Sequence, residues 1–164
     1  SDVCSSDLEY LFSVKVISSI LSKLAGAKAM MLMAAAVSDF LLPPQDMAVH
    51  KIQSRDGQLH LRLQQVPKCL GIIKKEWAPT SFLVAFKLET DENILVQKSR
   101  SLLEKYDVDL VVANELKTRY EVVKLITPST VDEIHRTSEC KRIEPLLIKT
   151  VVARHSKYIA DASS

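Results

Sequence analysis

Residues 81–90 read Ser81-Phe82-Leu83-Val84-Ala85-Phe86-Lys87-Leu88-Glu89-Thr90. A short apolar run bounded by polar residues is the pattern of a strand buried on both faces of a sheet. It gives way to charge at Lys87. Thr90 or Asp91 then stands where a helix N-cap belongs, and Ile94, Leu95, Lys98 and Leu102 follow in helical register. Strand, turn and helix in that order form the repeating unit of a parallel sheet.

The same grammar extends both ways. Upstream, Leu11, Val14, Ile17, Leu21 and Leu24 step by three and four, and Gly26 closes that helix as a C-cap. Met30–Val37 is a second buried strand, ending in Ser38-Asp39-Phe40 before Pro43-Pro44. Leu59, Leu61 and Leu63 alternate with His60, Arg62 and Gln64, which predicts a strand burying one face. Pro67 opens a helix carrying Leu70, Ile73 and Trp77 on one side, and Pro79 ends it. Downstream, Val108–Ala113 is a third buried strand. Glu121–Thr127 and Val131–His135 read as a hairpin or sheet extension. Glu144–Ile159 reads as a helix with Ile148, Val151, Val152, His155 and Ile159 inward. Buried strands separated by helices predict an α/β fold: one three-layer α/β/α domain with a mainly parallel sheet.

Composition narrows the function. The chain has 164 residues, enough for one domain, and 47% of them are hydrophobic, enough for a real core. With 22 basic against 20 acidic side chains the net charge is +2, and no aromatic–basic stripe appears. A nucleic-acid-binding role is therefore not expected. Gly26, Gly57 and Gly71 are too far apart to build GxGxxG or GxxxxGK[ST]. Cys4, Cys69 and Cys140 make neither a disulfide framework nor a CxxC pair, so a reducing, cytoplasmic setting is expected. The longest uncharged apolar run, positions 29–37, is about half of the roughly 20 residues that span a bilayer, so no membrane partner is expected. His50, His60, His135 and His155 lack metal-ligand spacing, and the metal ligands stay unknown. Ser1–Leu8 resembles the translation of a sequencing adapter and is set aside as non-native, leaving 9–164 as the domain.

Three apolar runs switch to polar residues at the same edge: Val37-Ser38-Asp39, Phe86-Lys87-Leu88-Glu89-Thr90 and Ala113-Asn114-Glu115. Ligands of open α/β sheets bind beyond the carboxyl ends of parallel strands, so this edge is the candidate site. Its structural alternative is plain solvent exposure and helix capping. The segment His50-Lys51-Ile52-Gln53-Ser54-Arg55 brings two cations with no apolar periodicity. It is either a solvated turn or a loop folding over a phosphorylated ligand.

Six blocks follow one another in a specific order: Ala34-Ala35-Ala36-Val37-Ser38-Asp39-Phe40, His50-Lys51-Ile52-Gln53-Ser54, Val66-Pro67-Lys68, Trp77-Ala78-Pro79, Phe86-Lys87-Leu88-Glu89-Thr90 and Val111-Val112-Ala113-Asn114. Their spacing resembles phosphopantothenate–cysteine ligases (phosphopantothenoylcysteine synthetases) of the eukaryotic, plant-like form, from about Leu11 to Tyr158. The resemblance implies a Rossmann-like domain, incomplete at its N-terminal edge, where the family carries a glycine-rich nucleotide loop. It implies a ligase of coenzyme A biosynthesis that joins phosphopantothenate to cysteine through an acyl-nucleotidylate, releasing pyrophosphate. It also implies ATP in preference to CTP, Mg²⁺, and a homodimer.

By the same resemblance, Ala34, Ala35, Ala36 and Asp39 line the nucleotide pocket. Lys51 is the catalytic lysine of a covering loop that meets phosphate. Pro67 and Lys68 border the nucleotide, Phe86 packs near the base, Lys98 is a basic neighbour of the nucleotide, and Asn114 lines the pocket. Bacterial relatives carry KxKK where this chain has Lys51-Ile52-Gln53-Ser54, and a GFAAET-like strand end where it has Phe86–Thr90. Both differences lean toward the eukaryotic form. The alternative reading is a non-catalytic α/β dimerisation or binding module.

Overall fold

The computed structural model describes residues 3–35, 40–43, 45, 60–66 and 68–163. Its elements are α1 (Val3–Ala25), a 3₁₀ turn (Gly26–Lys28), β1 (Met30–Met33), β2 (Phe40–Leu41), β3 (Gln64–Gln65), α2 (Cys69–Ile72), a π-helical turn (Ile73–Trp77), β4 (Phe82–Glu89), α3 (Glu92–Tyr106), β5 (Leu110–Glu115), β6 (Val122–Ile126), β7 (Val131–His135) and α4 (Glu144–Ala162).

The main sheet has the order β1-β4-β5-β6-β7. β1 pairs with β4, and β4 with β5, in parallel, whereas β6 is antiparallel to both neighbours. All strands but β6 therefore point the same way, and the mainly parallel expectation holds. β6 and β7 form the expected hairpin extension.

Alternation along the strands feeds two cores. On one face Met31, Leu83, Ala85, Val111 and Ala113 pack with Ile73, Leu95 and Leu103, and Val14 and Leu21 of α1 lie against them. On the other Val84, Leu110, Val112, Val123 and Leu125 pack against Ile143, Leu147 and Val151 of α4. These are the three layers. Gly26 sits at φ +52°, the left-handed conformation that a helix C-cap favours. Asp91 caps α3 by accepting a hydrogen bond from Asn93 N–H at 2.9 Å.

Several local expectations are corrected. β1 stops at Met33 rather than Val37, because its pairing with β4 ends at Met33–Ala85 and the next two residues are exposed alanines. Residues 60–63 are not a strand, and Leu61 and Leu63 are exposed. Among the described residues pairing there is limited to Gln64 and Gln65 against β2, so Leu61 and Leu63 meet no sheet face to bury, and Leu59 lies outside the described residues. The helix expected from Pro67 is α2 plus the π turn, with Ile73 fully buried.

Two helix faces are rotated from the expected ones. In α4 the buried row is Leu147, Val151 and His155, while Ile148 and Val152 are about half exposed. In α1 the row runs through Val14, Ser18 and Leu21, leaving Ile17 and Leu24 outward. The α1 window Glu9–Lys28, 20 residues of mean hydropathy 1.2, is by length and composition apolar enough to cross a membrane. The length of the 29–37 run did not reveal that.

Candidate active-site edge

Parallel pairing brings the carboxyl ends of β1, β4 and β5 together, with Met33 beside Ala85, Leu88 beside Asn114 and Glu89 beside Glu115. Strand alternation splits this edge into two flanks. Phe86 lies against the α4-side core, and Asn114, in step with Leu110 and Val112, shares that flank. Lys87 and Glu89 are in step with Leu83 and Ala85 and belong to the α3 flank, where Lys98 joins them.

The α3 flank is organised around one carboxylate. Glu89 Oε1 lies 2.9 Å from Lys87 Nζ, and Lys98 Nζ donates to both Glu89 oxygens at 3.0 Å. The Lys87 and then the Lys98 ammonium hold the Glu89 carboxyl below the ordinary glutamate value. Leu116 N–H donates to the Glu89 backbone carbonyl at 2.9 Å, fixing the strand end.

Beside it, a cleft of about 100 Å³ is lined by Glu92, Ala113, Glu115, Thr118, Val122 and Lys124. Lys124 bridges Glu92 at 2.6 Å and Glu133 at 3.1 Å. The Glu92 contact, outweighing the opposing effect of burial, raises the lysine above its ordinary value. That bridge ties the hairpin to the first turn of α3. Two larger cavities lie elsewhere. One of about 260 Å³ is between α1 and the α2 segment. The other, of about 250 Å³, is beside Tyr158 near the amino ends of β4 and β5.

Six of the ten expected site residues fall among the described residues. Ala34 and Ala35 are exposed immediately after β1, at the candidate edge. Phe86 and Asn114 stand on one flank and Lys98 on the other. Lys68 is exposed at the N-cap of α2, on the α1 and α3 side of the sheet. Ala36, Asp39, Lys51 and Pro67 lie outside the described residues.

In the sequence alone, Lys87 and Glu89 read as part of a polar strand end, without a link to Lys98. A lysine and a glutamate two apart at a strand's carboxyl end share a face, and that spacing is the signal that finds them.

The other polar residues have structural roles. His155 Nε2 lies 3.0 Å from the Ala27 carbonyl and its ring stacks on Phe82. Burial pushes the Cys69 thiol up, as befits a packing cysteine. Among the described residues, no three His, Cys, Asp or Glu side chains converge as a metal site.

The chain is 43% identical over 156 residues to phosphopantothenate–cysteine ligase 1 of Oryza sativa subsp. japonica, covering 95% of this chain and 48% of that protein. It is 37% identical over 157 residues to the phosphopantothenate–cysteine ligase of Homo sapiens, covering 93% and 50%. The chain thus spans about half the length of the curated relatives it matches. A Cab2 mutant solved in complex with phosphopantothenate-cysteine matches with a TM-score of 0.86 at 36% identity, over 94% of this chain and 52% of that one. A DNA/pantothenate metabolism flavoprotein from Streptococcus pneumoniae shares the fold, with a TM-score of 0.67 at 24% identity over 89% and 69%. The resemblance carried by the six sequence blocks is borne out. Residues 12–155 match the DNA/pantothenate metabolism flavoprotein C-terminal domain, and the chain belongs to that family.

Proposed function

We propose that this chain is the C-terminal part of a phosphopantothenate–cysteine ligase and forms one wall of its active site. The observation that carries the reading is the match over 94% of the chain to the Cab2 structure, whose complex holds phosphopantothenate-cysteine. The strand ends described above supply the kind of surface such a reaction needs.

In the first step a carboxylate oxygen of phosphopantothenate attacks the α-phosphorus of the nucleotide. A P–O bond forms, the anhydride to the β-phosphate breaks, and pyrophosphate leaves with the bonding electrons. In the second step the cysteine amine attacks the acyl carbon, a C–N bond forms, and the nucleoside monophosphate departs. The amine's proton passes to solvent or a base. Protein groups contribute by holding carboxylate and phosphorus in line and by placing fixed cations where negative charge develops.

Lys98 and Lys87 supply such cations on the α3 flank, and by the family resemblance Lys51 supplies another. Phe86 offers an apolar face for the base, and Asn114 a polar group beside it. Ala34, Ala35 and Ala36 leave room for the nucleotide, with Asp39 accepting a hydrogen bond from it and Pro67 and Lys68 bordering it. Bound Mg²⁺ would screen phosphate charge. The described residues fit a Mg²⁺ carried largely by nucleotide phosphates and water better than an all-protein cage. ATP in preference to CTP, a homodimer and a cytoplasmic location are parts of the same proposal, the nucleotide resting on the eukaryotic-like Lys51–Ser54 and Phe86–Thr90 blocks.

The test is pyrophosphate release by the protein carrying this chain together with the remaining length of its relatives, given phosphopantothenate, cysteine and Mg²⁺ with ATP or CTP. Turnover with ATP, reduced on the order of a hundredfold or more by Lys51→Ala, is expected. No pyrophosphate release with either nucleotide would favour the binding-module reading instead. Light scattering on the same preparation tests the dimer.

A further inference from the structure

The arrangement of charge around Glu89 goes beyond a list of pocket residues. Its carboxylate is the sheltered member of the cluster, with a side-chain exposure of 13%, whereas Lys87 and Lys98 are 32% and 49% exposed. An ordinary surface bridge lets both partners move freely in water. Here the anion is fixed on the strand and the two ammonium groups reach outward from it. Both Nζ atoms lie within 3.0 Å of the same Oε1 atom, so they are held no more than about 6 Å apart. Two like charges at that separation repel, and without the carboxylate the flexible lysine stems would spread. Within the triad two cations share one anion at the edge of the sheet where ligands bind, while the neighbouring Glu115 carboxylate accepts from Thr118 instead.

From this geometry we infer that Glu89 is a positioning residue, which gathers Lys87 and Lys98 into a single cationic clamp for neighbouring phosphates of the nucleotide. The inference rests on the reading of this edge as the nucleotide side of a ligase. Lys87 becomes a partner of Lys98 in that clamp. The two reach the same point from different elements, one from β4 and one from α3. The pair therefore also reports whether strand and helix keep their relative position. The bound ligand's own charge would replace part of the hold on the lysines, so Glu89 sets their geometry before binding and shares them afterwards.

A purely structural brace between β4 and α3 makes different predictions, and steady-state kinetics separate the two. The experiment uses the full-length ligase, measuring pyrophosphate release with nucleotide and cysteine varied separately, alongside thermal unfolding. Glu89→Gln keeps the size of the side chain and removes its charge. It is expected to raise the KM for the nucleotide on the order of five- to tenfold, with the KM for cysteine unchanged and the melting temperature within about 2 °C of the parent. Glu89→Asp, which retains the charge, is expected to recover part of that loss.

Lys87→Ala and Lys98→Ala are each expected to raise the nucleotide KM, and neither should add its full effect to that of Glu89→Gln. If the lysine variants raise the nucleotide KM but Glu89→Gln does not, the positioning role is wrong and the reading of the edge stands. If Glu89→Gln lowers the melting temperature and shifts every KM alike, the residue is a brace and the inference is overturned. If neither lysine variant moves the nucleotide KM, the reading of this edge falls, and the inference with it.

Discussion

The base of the sheet, at the end opposite the candidate site, is fastened by a buried ion pair whose removal has a calculable cost. Lys74, in the π-helical turn, has a side chain only 6% exposed. Its Nζ lies 2.9 Å from Asp109 Oδ2 and donates to the Ser81 carbonyl at 3.0 Å. Asp109 in turn accepts from Leu83 N–H at 2.7 Å, so the pair joins the π turn to the start of β4 and the residue before β5. Lys74→Met keeps the aliphatic stem and deletes the charge and both hydrogen bonds. It leaves the carbonyl of fully buried Ser81 without this partner and Asp109 with one backbone donor. Removing one partner of a buried pair costs about 3–5 kcal/mol when the other is wholly sequestered. Asp109 is 19% exposed, so water reaches it and the expected loss is lower, about 2–3 kcal/mol. Asp109→Asn should cost less, since an amide oxygen still accepts from Leu83, and the double variant should be better than the sum of the singles by at least about 1 kcal/mol. Urea unfolding reads this directly through Trp77, the chain's one tryptophan, which sits on the same turn. A Lys74→Met protein within about 0.5 kcal/mol of the parent, or strictly additive singles, would refute the account.

Other outcomes follow from the same structure. Leu147→Ala should cost about 2–4 kcal/mol in urea unfolding, and Ile148→Ala under about 1, because α4 buries the first and half-exposes the second; the reverse order would refute the helix's orientation. Asp107 closes α3 at φ 54°, so Asp107→Gly should stabilise the protein by about 0.5–1 kcal/mol, and a loss would refute strain at that cap. The carboxyls of Glu89, Asp132, Glu133 and Glu144 are held below their ordinary values of 4.5 and 3.8, by Lys87, Arg154, Lys124 and the Glu144 backbone N–H respectively. Each then adds stability that is fully present above its ordinary value and lost as pH falls through the depressed one. The urea midpoint should therefore be flat between about pH 5 and 8 and decline from pH 4.5 downward, less steeply in Glu89→Gln; a midpoint unchanged down to pH 2 would contradict the pairing.

Much of the architecture is written in hydrophobic periodicity. The runs at 82–86 and 110–113 are apolar on both faces because helices cover both sides of the sheet, and their shortness favours strand over helix. The cap at Asp91 and the turn at Gly26 are equally local and equally readable. What failed depended on partners distant in sequence. Leu59–Leu63 alternates correctly for a strand, but among the described residues the second sheet pairs only Gln64 and Gln65 with β2. In α4 the choice between Leu147 and its neighbour Ile148 rests on a rotation of about 100° that the sheet, not the helix, decides. Of the candidate site, the shared edge was legible from where apolar runs turn polar. The clamp of Glu89 on Lys87 and Lys98 was not, since it needs the α3 helix laid back across β4.

The division of the edge into flanks has a consequence for which molecules can use it. Phe86 and Asn114 stand on one side of the strands, and Lys87 and Lys98 on the other, with the sheet itself between them. A ligand touching both groups must therefore ride over the strand ends like a rider astride a saddle. On the proposed reading, a bare nucleoside would reach the aromatic flank alone, and pyrophosphate the cationic flank alone. On that reading the sheet edge would act as a length gauge, rewarding compounds whose two halves are joined by a linker long enough to straddle it.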